Sequence, residues 1–495
     1  MNLNNLLEGV DLIEIIGDST IEVTGLAYDS RQVKPGNIFV CIKGFKSDGH
    51  NYIADACRRG AVGVVVERTV DDLDGLTVIK VPDSRLALAQ LAVRFYNFPS
   101  QSLGLIGVTG TNGKTTTTYL IESILQENGK KTGLIGTIAN KIGNKSFAVE
   151  HTTPESLDLQ QFLKKMVKEQ VEWAVMEVSS HALSLHRVDE TYYDLAVFTN
   201  LTQDHLDFHL DFDNYLEAKL KLFRMLKKGP KGKTAKAVIN LDDFYGKDFI
   251  QAAEGLDIIT YGINSSAQVK AKEIKITSKG VTFTLVSREW TDKIKLNTPG
   301  LFSVYNALAA ISVGLALNIP REKIIAGLSK VKGVPGRFES IDCGQDFGVI
   351  VDYAHTPDGL ENILQTAKQF AQRKIILVFG CGGDRDKKKR PQMGQIALRY
   401  ADKCIITSDN PRSEDPLAII EDILTGIRGI KEFEGKYTVI PDRKEAIFYA
   451  ISEAEKDDLV IIAGKGHENY QILKDKTIHF DDREVAREVL KGGKK

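Results

Sequence analysis

Residues 107–116 read Gly-Val-Thr-Gly-Thr-Asn-Gly-Lys-Thr-Thr, and this stretch is the most informative one in the chain. It follows an apolar run, 103–108, that predicts a strand, and it opens a helical segment. A glycine-rich loop between a strand and a helix offers backbone N–H groups and the positive helix end to an anion. Lys114 can reach terminal phosphates, and the hydroxyl of Thr115 or Thr116 can ligate Mg²⁺. The stretch predicts a site for ATP or GTP.

The glycine spacing of this loop departs from the usual G-x-x-x-x-G-K-T pattern in one place. That pattern wants a small residue at Val108, and here the glycine is Gly110 instead. The mismatch points away from ordinary switch or motor nucleotidases. A glycine-rich turn without a ligand is the alternative, but it leaves the Gly-Lys-Thr-Thr grouping after a strand unexplained.

Composition excludes several classes of function. The chain is long enough for about three domains, and its 65 basic and 66 acidic residues give a net charge of -1. A net charge this close to zero gives no overall electrostatic attraction to nucleic acid or to an anionic membrane. The five cysteines are never spaced as C-x-x-C, which suits a reducing cytosol and argues against a zinc site. Residues 1–16 lack the build of a signal peptide, and the near-apolar stretch 307–319 is predicted to be a buried helix. We expect a cytoplasmic monomer with no nucleic-acid partner and no membrane insertion.

Strand and helix signals alternate along the whole chain. Short β-branched runs occur at 61–67, 174–177, 195–199, 237–240, 374–379, 404–407 and 459–463. Their alternation with helical segments is typical of parallel α/β layers. Turn residues near 97–100 and 333–336 mark two breaks. The predicted domains are residues 1–98, 99–333 and 334–495.

Polar residues follow five of the predicted strands at their carboxyl ends. The segments are 177–181, 200–209, 380–386, 408–412 and 464–468. Open parallel sheets bind their ligands at this edge. Because these segments fall in the second and third predicted domains, we expect the active site in the cleft between those two domains.

Four motifs together resemble the Mur ligase family. They are Thr-Gly-Thr-Asn-Gly-Lys-Thr-Thr at 109–116, Met-Glu-Val-Ser-Ser-His at 176–181, Phe-Thr-Asn-Leu-Thr-Gln-Asp-His-Leu-Asp-Phe-His at 198–209 and Asp-Tyr-Ala-His-Thr-Pro at 352–357. The resemblance extends over all three predicted domains. It implies an α/β protein with a central P-loop ATPase-like parallel sheet, flanked by an N-terminal UDP-binding α/β domain and a C-terminal Rossmann-like α/β domain.

Three further motifs narrow the resemblance. They are Gly-Cys-Gly-Gly-Asp-Arg-Asp at 380–386, Asp-Asn-Pro-Arg at 409–412 and Gly-Lys-Gly-His-Glu at 464–468. They look like those of members that add meso-diaminopimelate to UDP-N-acetylmuramoyl-L-alanyl-D-glutamate during peptidoglycan precursor synthesis. The resemblance implies that ATP phosphorylates the D-Glu side-chain carboxylate and that the amine attacks the resulting acyl phosphate. Catalysis is then mostly positioning and charge neutralisation.

The resemblance also implies the catalytic and metal-binding residues. Lys114 would meet the phosphates, while Thr115 and Glu177 would ligate one Mg²⁺. His205 would ligate a second Mg²⁺, an unusual choice for a cation that prefers oxygen. Lys219 matches a lysine that CO₂ carbamylates in this family, which creates an oxygen ligand for the second ion. Without the resemblance, Lys219 would be interpreted as a solvated helix lysine.

The implied binding residues form three groups, one for each substrate. The ATP group is Gly110, Thr111, Asn112, Gly113, Lys114, Thr115, Thr116, Asn240, Asp243, Asn306, Arg337 and Asp352. The UDP-muramoyl-dipeptide group is Ser30, Thr152, Thr153, Ser179 and Arg187. The diaminopimelate group is Arg385, Asp409, Asn410, Pro411, Arg412, Gly464 and Glu468. Departures from the family pattern occur at Leu185, Leu210 and Ser303.

The Asp-Asn-Pro-Arg motif bears on which amino acid is added. Pro411 stiffens the loop, and Arg412 can form a two-pronged pair with a carboxylate, a geometry that lysine cannot match. meso-Diaminopimelate differs from L-lysine by a second carboxylate, so it needs such a partner. Glu468 suits a substrate ammonium, and Gly464 suits close approach of the backbone. The motif therefore favours diaminopimelate.

Three alternatives stay open at this point. The chain could be an L-lysine-adding member of the same family, a folylpolyglutamate synthase-like ligase, or a non-catalytic nucleotide-binding regulator. The motifs at 409–412 and 464–468 argue against the folate enzyme. The joint presence of Glu177, His205 and Lys219 argues against a regulator, because a binder needs no second set of metal ligands.

Overall fold

The computed structural model has a mixed α/β fold and describes residues 1–44, 47–70, 75–149, 151–202, 204, 206–277 and 280–492. The chain divides into two compact units. The first unit comprises Met1–Gln268 and Ala309–Ile324, and the second comprises Val269–Leu308 and Ile325–Lys495. The three-domain boundaries predicted from the sequence stay a prediction.

A small sheet with three helices opens the first unit. Its elements are α1 Leu3–Leu7, β1 Glu14–Ile16, β2 Gly25–Ala27, β3 Asn37–Val40, α2 Ile53–Arg58, β4 Gly63–Val66, β5 Thr77–Lys80 and α3 Ser84–Phe95, with 3₁₀ turns at Ser30–Gln32, Gly49–Tyr52 and Pro99–Gln101. The strand order is β1-β5-β4-β3-β2. Strands β2 to β5 are parallel, and β1 is antiparallel to β5. Every residue of β3 and β4 is buried, as expected of parallel strands covered on both faces.

A larger sheet fills the rest of the first unit. Its elements there are β6 Gly104–Thr109, α4 Lys114–Glu127, β7 Thr132–Ile135, β8 Asn140–Ile142, β9 Lys145–Phe147, α5 Ser156–Lys168, β10 Trp173–Glu177, α6 Ser180–Ser184, β11 Leu195–Phe198, α7 Leu206–His209, α8 Phe212–Met225, β12 Lys236–Asn240, α9 Gly246–Ala252 and β13 Asp257–Gly262. These strands are ordered β13-β12-β11-β6-β10-β7-β8-β9 and are parallel from β13 to β7. Because β6 lies between β10 and β11, the loops after these three strands open at one edge of the sheet.

The core of the larger sheet holds its strand ends in place. Phe198 at the end of β11 stacks on Phe249 of α9, with ring centroids 3.7 Å apart. Leu195, Val197 and Phe198 are fully buried. Continuous apolar runs of this kind are typical of parallel strands with helices on both faces.

The second unit contains an antiparallel strand group, a six-stranded sheet and a hairpin. Helices α10 Leu301–Ala316 and α11 Arg321–Lys330 include residues of both units. The other elements are β14 Val269–Thr277, β15 Gly280–Val286, β16 Thr291–Leu296, β17 Glu339–Ser340, β18 Gly348–Asp352, α12 Pro357–Lys368, β19 Ile375–Phe379, α13 Lys389–Tyr400, β20 Lys403–Ile406, α14 Pro416–Leu424, a 3₁₀ turn Lys431–Phe433, β21 Tyr437–Val439, α15 Arg443–Ser452, β22 Leu459–Ala463, β23 Tyr470–Ile472, β24 Thr477–His479 and α16 Asp482–Gly492. The six-stranded sheet has the order β17-β18-β22-β19-β20-β21 and is parallel except for β17.

The α/β prediction is confirmed. Each of the seven β-branched runs overlaps a strand with parallel neighbours. The helix predicted over 307–319 is α10, which begins earlier, at Leu301, and ends at Ala316. The sequence interpretation missed β14 to β16, which pair antiparallel. Strand β16 buries only Ile294 and Leu296, so it reads as a charged stretch rather than as a β-branched run. In the described part of the chain, no helix is long and apolar enough to cross a membrane.

Candidate active site

The phosphate loop joins β6 to α4 in the first unit. Gly110 and Gly113 have φ angles of +147° and +84°, which favour glycine. A β-carbon on Gly110 would lie only 1.9 Å from the Thr199 hydroxyl, so the close approach of the two loops also requires glycine. Among the described residues, no side chain caps the start of α4 at Lys114. A helix N-terminus of this kind is completed by an anion.

Hydrogen bonds from the neighbouring strand end brace the phosphate loop. The backbone N–H of Thr111 donates to the carbonyl of Asn200 at 2.8 Å, and that of Asn112 donates to the Asn200 side-chain oxygen at 2.9 Å. Lys114 Nζ turns back and donates to the carbonyls of Gly110 and Thr111, at 2.9 and 2.8 Å. The lysine charge is therefore held at the loop to which it belongs.

Glu177 sits at the end of β10 and is 1% exposed. Its carboxylate accepts hydrogen bonds from the hydroxyls of Thr115 at 3.0 Å and Thr137 at 3.1 Å, and from the Thr137 backbone N–H at 2.8 Å. Sequence reasoning missed Thr137, although it follows β7, the strand next to β10, at the same sheet edge. One buried carboxylate and one hydroxyl beside a phosphate loop are ligands that suit Mg²⁺.

No cluster of three or more His, Cys, Asp or Glu side chains suited to a metal occurs among the residues that the structure describes. Mg²⁺ in nucleotide sites is usually held by one or two protein oxygens, with phosphate and water completing the shell. The pair Thr115 and Glu177 fits that pattern. His205, predicted to ligate a second ion, lies outside the described residues.

Lys219 lies on α8 and is 1% exposed, so it is not the solvated lysine that its helix pattern indicates. Its Nζ donates to the carbonyl of Gly110 at 2.8 Å. Burial lowers the pKa of the Lys219 amine well below its ordinary value; the nearby Lys114 charge lowers it further, and Asp204 opposes both. The structure thus brings a buried amine to the phosphate loop.

Two of the predicted nucleotide residues of the first unit brace the loop after β11. Asn240 Nδ2 donates to the carbonyl of Thr199 at 2.7 Å. Asp243 accepts the backbone N–H of Leu201 at 2.8 Å, and burial raises the pKa of its carboxyl. Their side chains therefore shape the strand end on which the phosphate loop rests.

The other three predicted nucleotide residues belong to the second unit. Asn306 is buried in α10. Asp352 accepts the backbone N–H groups of Phe338 and Ala354 at 2.7 and 2.8 Å; burial raises the pKa of its carboxyl, and Arg337 partly offsets this. Arg337 Nε is buried and has no hydrogen-bond partner in the described part of the chain. A guanidinium in this state is suited to an acceptor on a ligand.

Four of the five residues predicted for the UDP-muramoyl dipeptide lie around the end of β10. Thr153 donates to the carbonyl of Glu177 at 2.9 Å and accepts the backbone N–H of Ser179 at 3.1 Å. Arg187 donates to the carbonyl of Thr153 at 3.1 Å. The Thr152 hydroxyl lies 3.1 Å from that of Thr137, which itself contacts the Glu177 carboxylate.

The fifth residue, Ser30, lies in the N-terminal sheet region, in the 3₁₀ turn after β2, and is 6% exposed. Its side chain hydrogen-bonds Asp55 and holds the pKa of that carboxyl below its ordinary value. Glu155, which sequence reasoning missed, pairs with Arg187 at 2.8 Å and with Arg85 at 3.4 Å. Glu155 thus contacts Nη2 of Arg187, while the Thr153 carbonyl contacts Nη1.

The predicted diaminopimelate residues cluster at the strand ends of the six-stranded sheet. Asn410 Nδ2 donates to Glu468 Oε2 at 2.8 Å, which joins the loop after β20 to the loop after β22. Gly464 has φ +120°, and a β-carbon there would lie 2.6 Å from the Asp409 carboxylate. Asp409 is 7% and Asn410 2% exposed, so both belong to the interior of this cluster.

The two predicted arginine anchors differ in their surroundings. Arg412 is half-buried after the buried Pro411, adopts a left-handed φ of +54°, and donates from Nη1 to the carbonyl of Gly383 at 2.9 Å. Arg385 is exposed and donates to the carbonyl of Asp384 at 3.0 Å. The loops after β19 and β20 therefore carry both guanidinium groups.

A part-buried ion pair that sequence reasoning missed supports these loops. The Arg390 side chain is fully buried and donates to both oxygens of Glu414, each at 2.9 Å, and to the carbonyl of Gly382 at 3.1 Å. The hydrogen bonds from Arg390 lower the pKa of the Glu414 carboxyl to about 2. Such bidentate pairs are geometrically specific. Neither residue lies in a strand-end motif, so only the folded chain reveals the pair.

A phosphate loop with a hydroxyl and a carboxylate suited to Mg²⁺, on a parallel α/β sheet, defines an enzyme that uses a nucleoside triphosphate. Three family models match the chain: "Mur ligase family, catalytic domain" over residues 22–96, "Mur ligase middle domain" over 108–314 and "Mur ligase, glutamate ligase domain" over 336–466. The chain belongs to the Mur ligase family, and it is an ATP-dependent ligase with the three-domain architecture of that family.

Similar proteins extend over the full chain. UDP-N-acetylmuramoyl-L-alanyl-D-glutamate--2,6-diaminopimelate ligase of Caldanaerobacter subterraneus subsp. tengcongensis is 52% identical over 490 residues, covering 99% of each chain. The protein of that name from Bacillus cereus is 48% identical over 493 residues, also covering 99% of each. A solved structure of a ligase with this name is 33% identical with a TM-score of 0.72, and covers 100% of this chain and 99% of the other.

More distant structures are similar in fold alone. The UDP-N-acetylmuramoylalanyl-D-glutamyl-2,6-diaminopimelate--D-alanyl-D-alanyl ligase of Acinetobacter baumannii is 21% identical with a TM-score of 0.64, and covers 94% of this chain and 95% of the other.

Proposed function

We propose that this chain joins meso-diaminopimelate to the D-Glu side-chain carboxylate of UDP-N-acetylmuramoyl-L-alanyl-D-glutamate, with ATP converted to ADP and phosphate. The convergence of Thr115, Glu177 and Lys219 on the phosphate loop carries the proposal. The names of relatives that cover 99% of the chain support the choice of substrates.

In this proposal the phosphate loop binds the ATP phosphates, and Lys114 turns from its loop carbonyls to the terminal phosphates. Thr115 and Glu177 would hold Mg²⁺, which when bound neutralises phosphate charge. The γ-phosphoryl group passes to a carboxylate oxygen of D-Glu, and ADP leaves. The amine nitrogen then attacks the acyl carbon, the C–O bond to phosphate breaks, and the amine loses a proton. Arg337, with its buried Nε, would serve the nucleotide.

We propose that Lys219 acts as a carbamate. Its amine nitrogen would bond to the carbon of CO₂ and lose a proton, which leaves an anionic oxygen ligand beside the phosphate loop. The neutral amine needed for this step is favoured by full burial at the Gly110 carbonyl. This ligand would act together with His205 on a second Mg²⁺.

For the other two substrates, Thr152, Thr153, Ser179 and Arg187 would contact the muramoyl dipeptide, and Ser30 the UDP group. For the acceptor, Arg412 and Arg385 would each pair with a carboxylate of diaminopimelate, and Glu468 with an ammonium. Asp409, Asn410, Pro411 and Gly464 would shape the loops that hold these groups.

Product analysis tests the proposal. The purified enzyme is given ATP, the UDP-muramoyl dipeptide and either radiolabelled meso-diaminopimelate or L-lysine, and a parallel reaction contains tetrahydrofolate with glutamate. We expect one ADP per tripeptide, with meso-diaminopimelate preferred and no folate product. Accumulation of AMP, equal phosphate release without an acceptor amine, or preference for L-lysine or folate would refute it.

The domain boundaries, the oligomeric state and the cellular location are proposed as well. The domain boundaries near residues 98 and 333 predict that limited proteolysis cuts there first. A monomer predicts a single mass of 54.8 kDa by light scattering. A cytoplasmic location is proposed because the reaction consumes ATP, and cell fractionation tests it.

A further inference from the structure

Lys465 lies between Gly464 and Glu468 in the loop after β22, and the roles proposed above do not use it. Its side chain is fully buried, at 0% exposure. Its Nζ donates to Glu468 Oε2 at 3.1 Å and to Asn410 Oδ1 at 3.2 Å. Lysines are almost never fully buried unless they are paired, so this position calls for a reason.

The contacts of Lys465 form a closed polar triangle. Asn410 Nδ2 donates to the same Glu468 oxygen at 2.8 Å, and Asn410 Oδ1 also accepts the backbone N–H of Ile472 at 2.9 Å. Because an amide has one acceptor end and one donor end, Lys465 and Ile472 together dictate which way Asn410 faces. The Asn410 donor is thereby directed at Glu468.

The triangle also orients the Glu468 carboxylate. Among the residues that the structure describes, both side-chain hydrogen bonds to Glu468 reach Oε2, which leaves Oε1 for an incoming donor. The Lys465 ammonium also offsets the cost of taking the part-buried Glu468 carboxylate out of water. An oriented carboxylate with one oxygen open is suited to an amino-acid ammonium group.

We propose that Lys465 is a positioning residue for the acceptor amino acid: it holds Glu468 and Asn410 so that the free carboxylate oxygen meets the acceptor ammonium. The inference rests on the proposed function, because it takes Glu468 as the ammonium partner. Replacement of a purely structural lysine would lower stability, or would impair the use of all three substrates together. A positioning lysine acts on one substrate, and only through Glu468.

A double-mutant cycle separates these roles. The variants are Lys465→Met, Glu468→Gln and the pair, with Lys444→Met as control, since Lys444 forms an exposed ion pair with Glu488 on the same unit. Lys465→Met should raise the KM for meso-diaminopimelate about 10- to 100-fold, the cost of one charge-assisted hydrogen bond. The KM values for ATP and the UDP-muramoyl dipeptide should change less than about threefold. The KM of the double variant for meso-diaminopimelate should lie within about threefold of the higher of the two single-variant values. Lys444→Met should behave as wild type.

Three results would overturn the inference: an unchanged KM for meso-diaminopimelate, equal changes for all three substrates, or a cost that adds fully to that of Glu468→Gln. Thermal melts followed by circular dichroism establish folding. If Lys465→Met does not fold, Lys465→Gln replaces it, because glutamine keeps a donor for Asn410 without the charge. Wild-type enzyme inactive on meso-diaminopimelate would refute the proposed function, whereas active wild type with an unaffected Lys465 variant would refute this inference alone.

Discussion

Arg412→Ala tests whether the loop after β20 selects the acceptor. The substitution removes the guanidinium and its hydrogen bond to the Gly383 carbonyl. The backbone at this position has φ +54°, which is strained for any residue with a β-carbon. Alanine keeps that β-carbon, so the backbone cost is the same in the variant and the wild type. The measured change therefore reports the side chain.

The magnitude follows from the surroundings of Arg412. A hydrogen bond to a charged group contributes about 1.5–3 kcal/mol. Arg412 is half-buried, and one of its nitrogens already donates to the Gly383 carbonyl. We therefore expect the substitution to remove about 2–3 kcal/mol of transition-state stabilisation, which is less than the loss of a charge partner in a fully closed site. This corresponds to a decrease of about 30- to 150-fold in kcat/KM for meso-diaminopimelate.

The assay is ADP release coupled to tripeptide formation, with meso-diaminopimelate and L-lysine compared in the same preparation. The preference for meso-diaminopimelate should narrow in Arg412→Ala, while the KM for ATP should hardly change. Arg428→Ala is the matched control, because this arginine is exposed and pairs with Glu421. If the ratio of the two amino acids is unchanged in Arg412→Ala, the loop is not the specificity element.

Three other substitutions test the site and its support. Glu177→Gln should lower kcat by about 100-fold or more because it removes a charge where Mg²⁺ is proposed to bind; a Mg²⁺ titration of turnover measures this, and wild-type rates would contradict it. Lys219→Ala should be folded but nearly inactive, and added acetate should restore part of the activity; ¹³C NMR of the CO₂-equilibrated wild type that shows an unmodified lysine would count against the carbamate. Arg443→Met should lower the free energy of unfolding by about 3–5 kcal/mol because it leaves a buried carboxylate unpaired. Arg443 and Asp482 are both 0% exposed and 2.7 Å apart; urea unfolding should show recovery when Asp482→Leu is added, and an unchanged midpoint for the single variant would refute the argument.

Local pattern in the sequence was enough to predict the layered α/β class. A buried parallel strand needs a continuous β-branched run, and a phosphate loop needs glycine where φ is positive, as at Gly110 and Gly113. Both requirements act on neighbouring residues, so they are visible in the chain. The strand ends could be predicted for the same reason, and the residues at 409–412 and 464–468 do meet. The antiparallel strands β14 and β16 escaped because their exposed faces carry charge instead of apolar side chains.

The burial and the partners of the charged side chains depend on the tertiary structure. Lys219 has the sequence surroundings of a solvated helix lysine, yet the carbonyl that it contacts belongs to Gly110, 109 positions away. Thr137 contacts Glu177 across 40 positions, and Arg443 contacts Asp482 across 39. Burial and charge pairing depend on which segments pack together, and one sequence carries no local signal of a distant partner. Local sequence pattern therefore indicates the α/β class and the strand ends that carry the motifs, while packing sets which of the charged groups there are buried, paired and placed for chemistry.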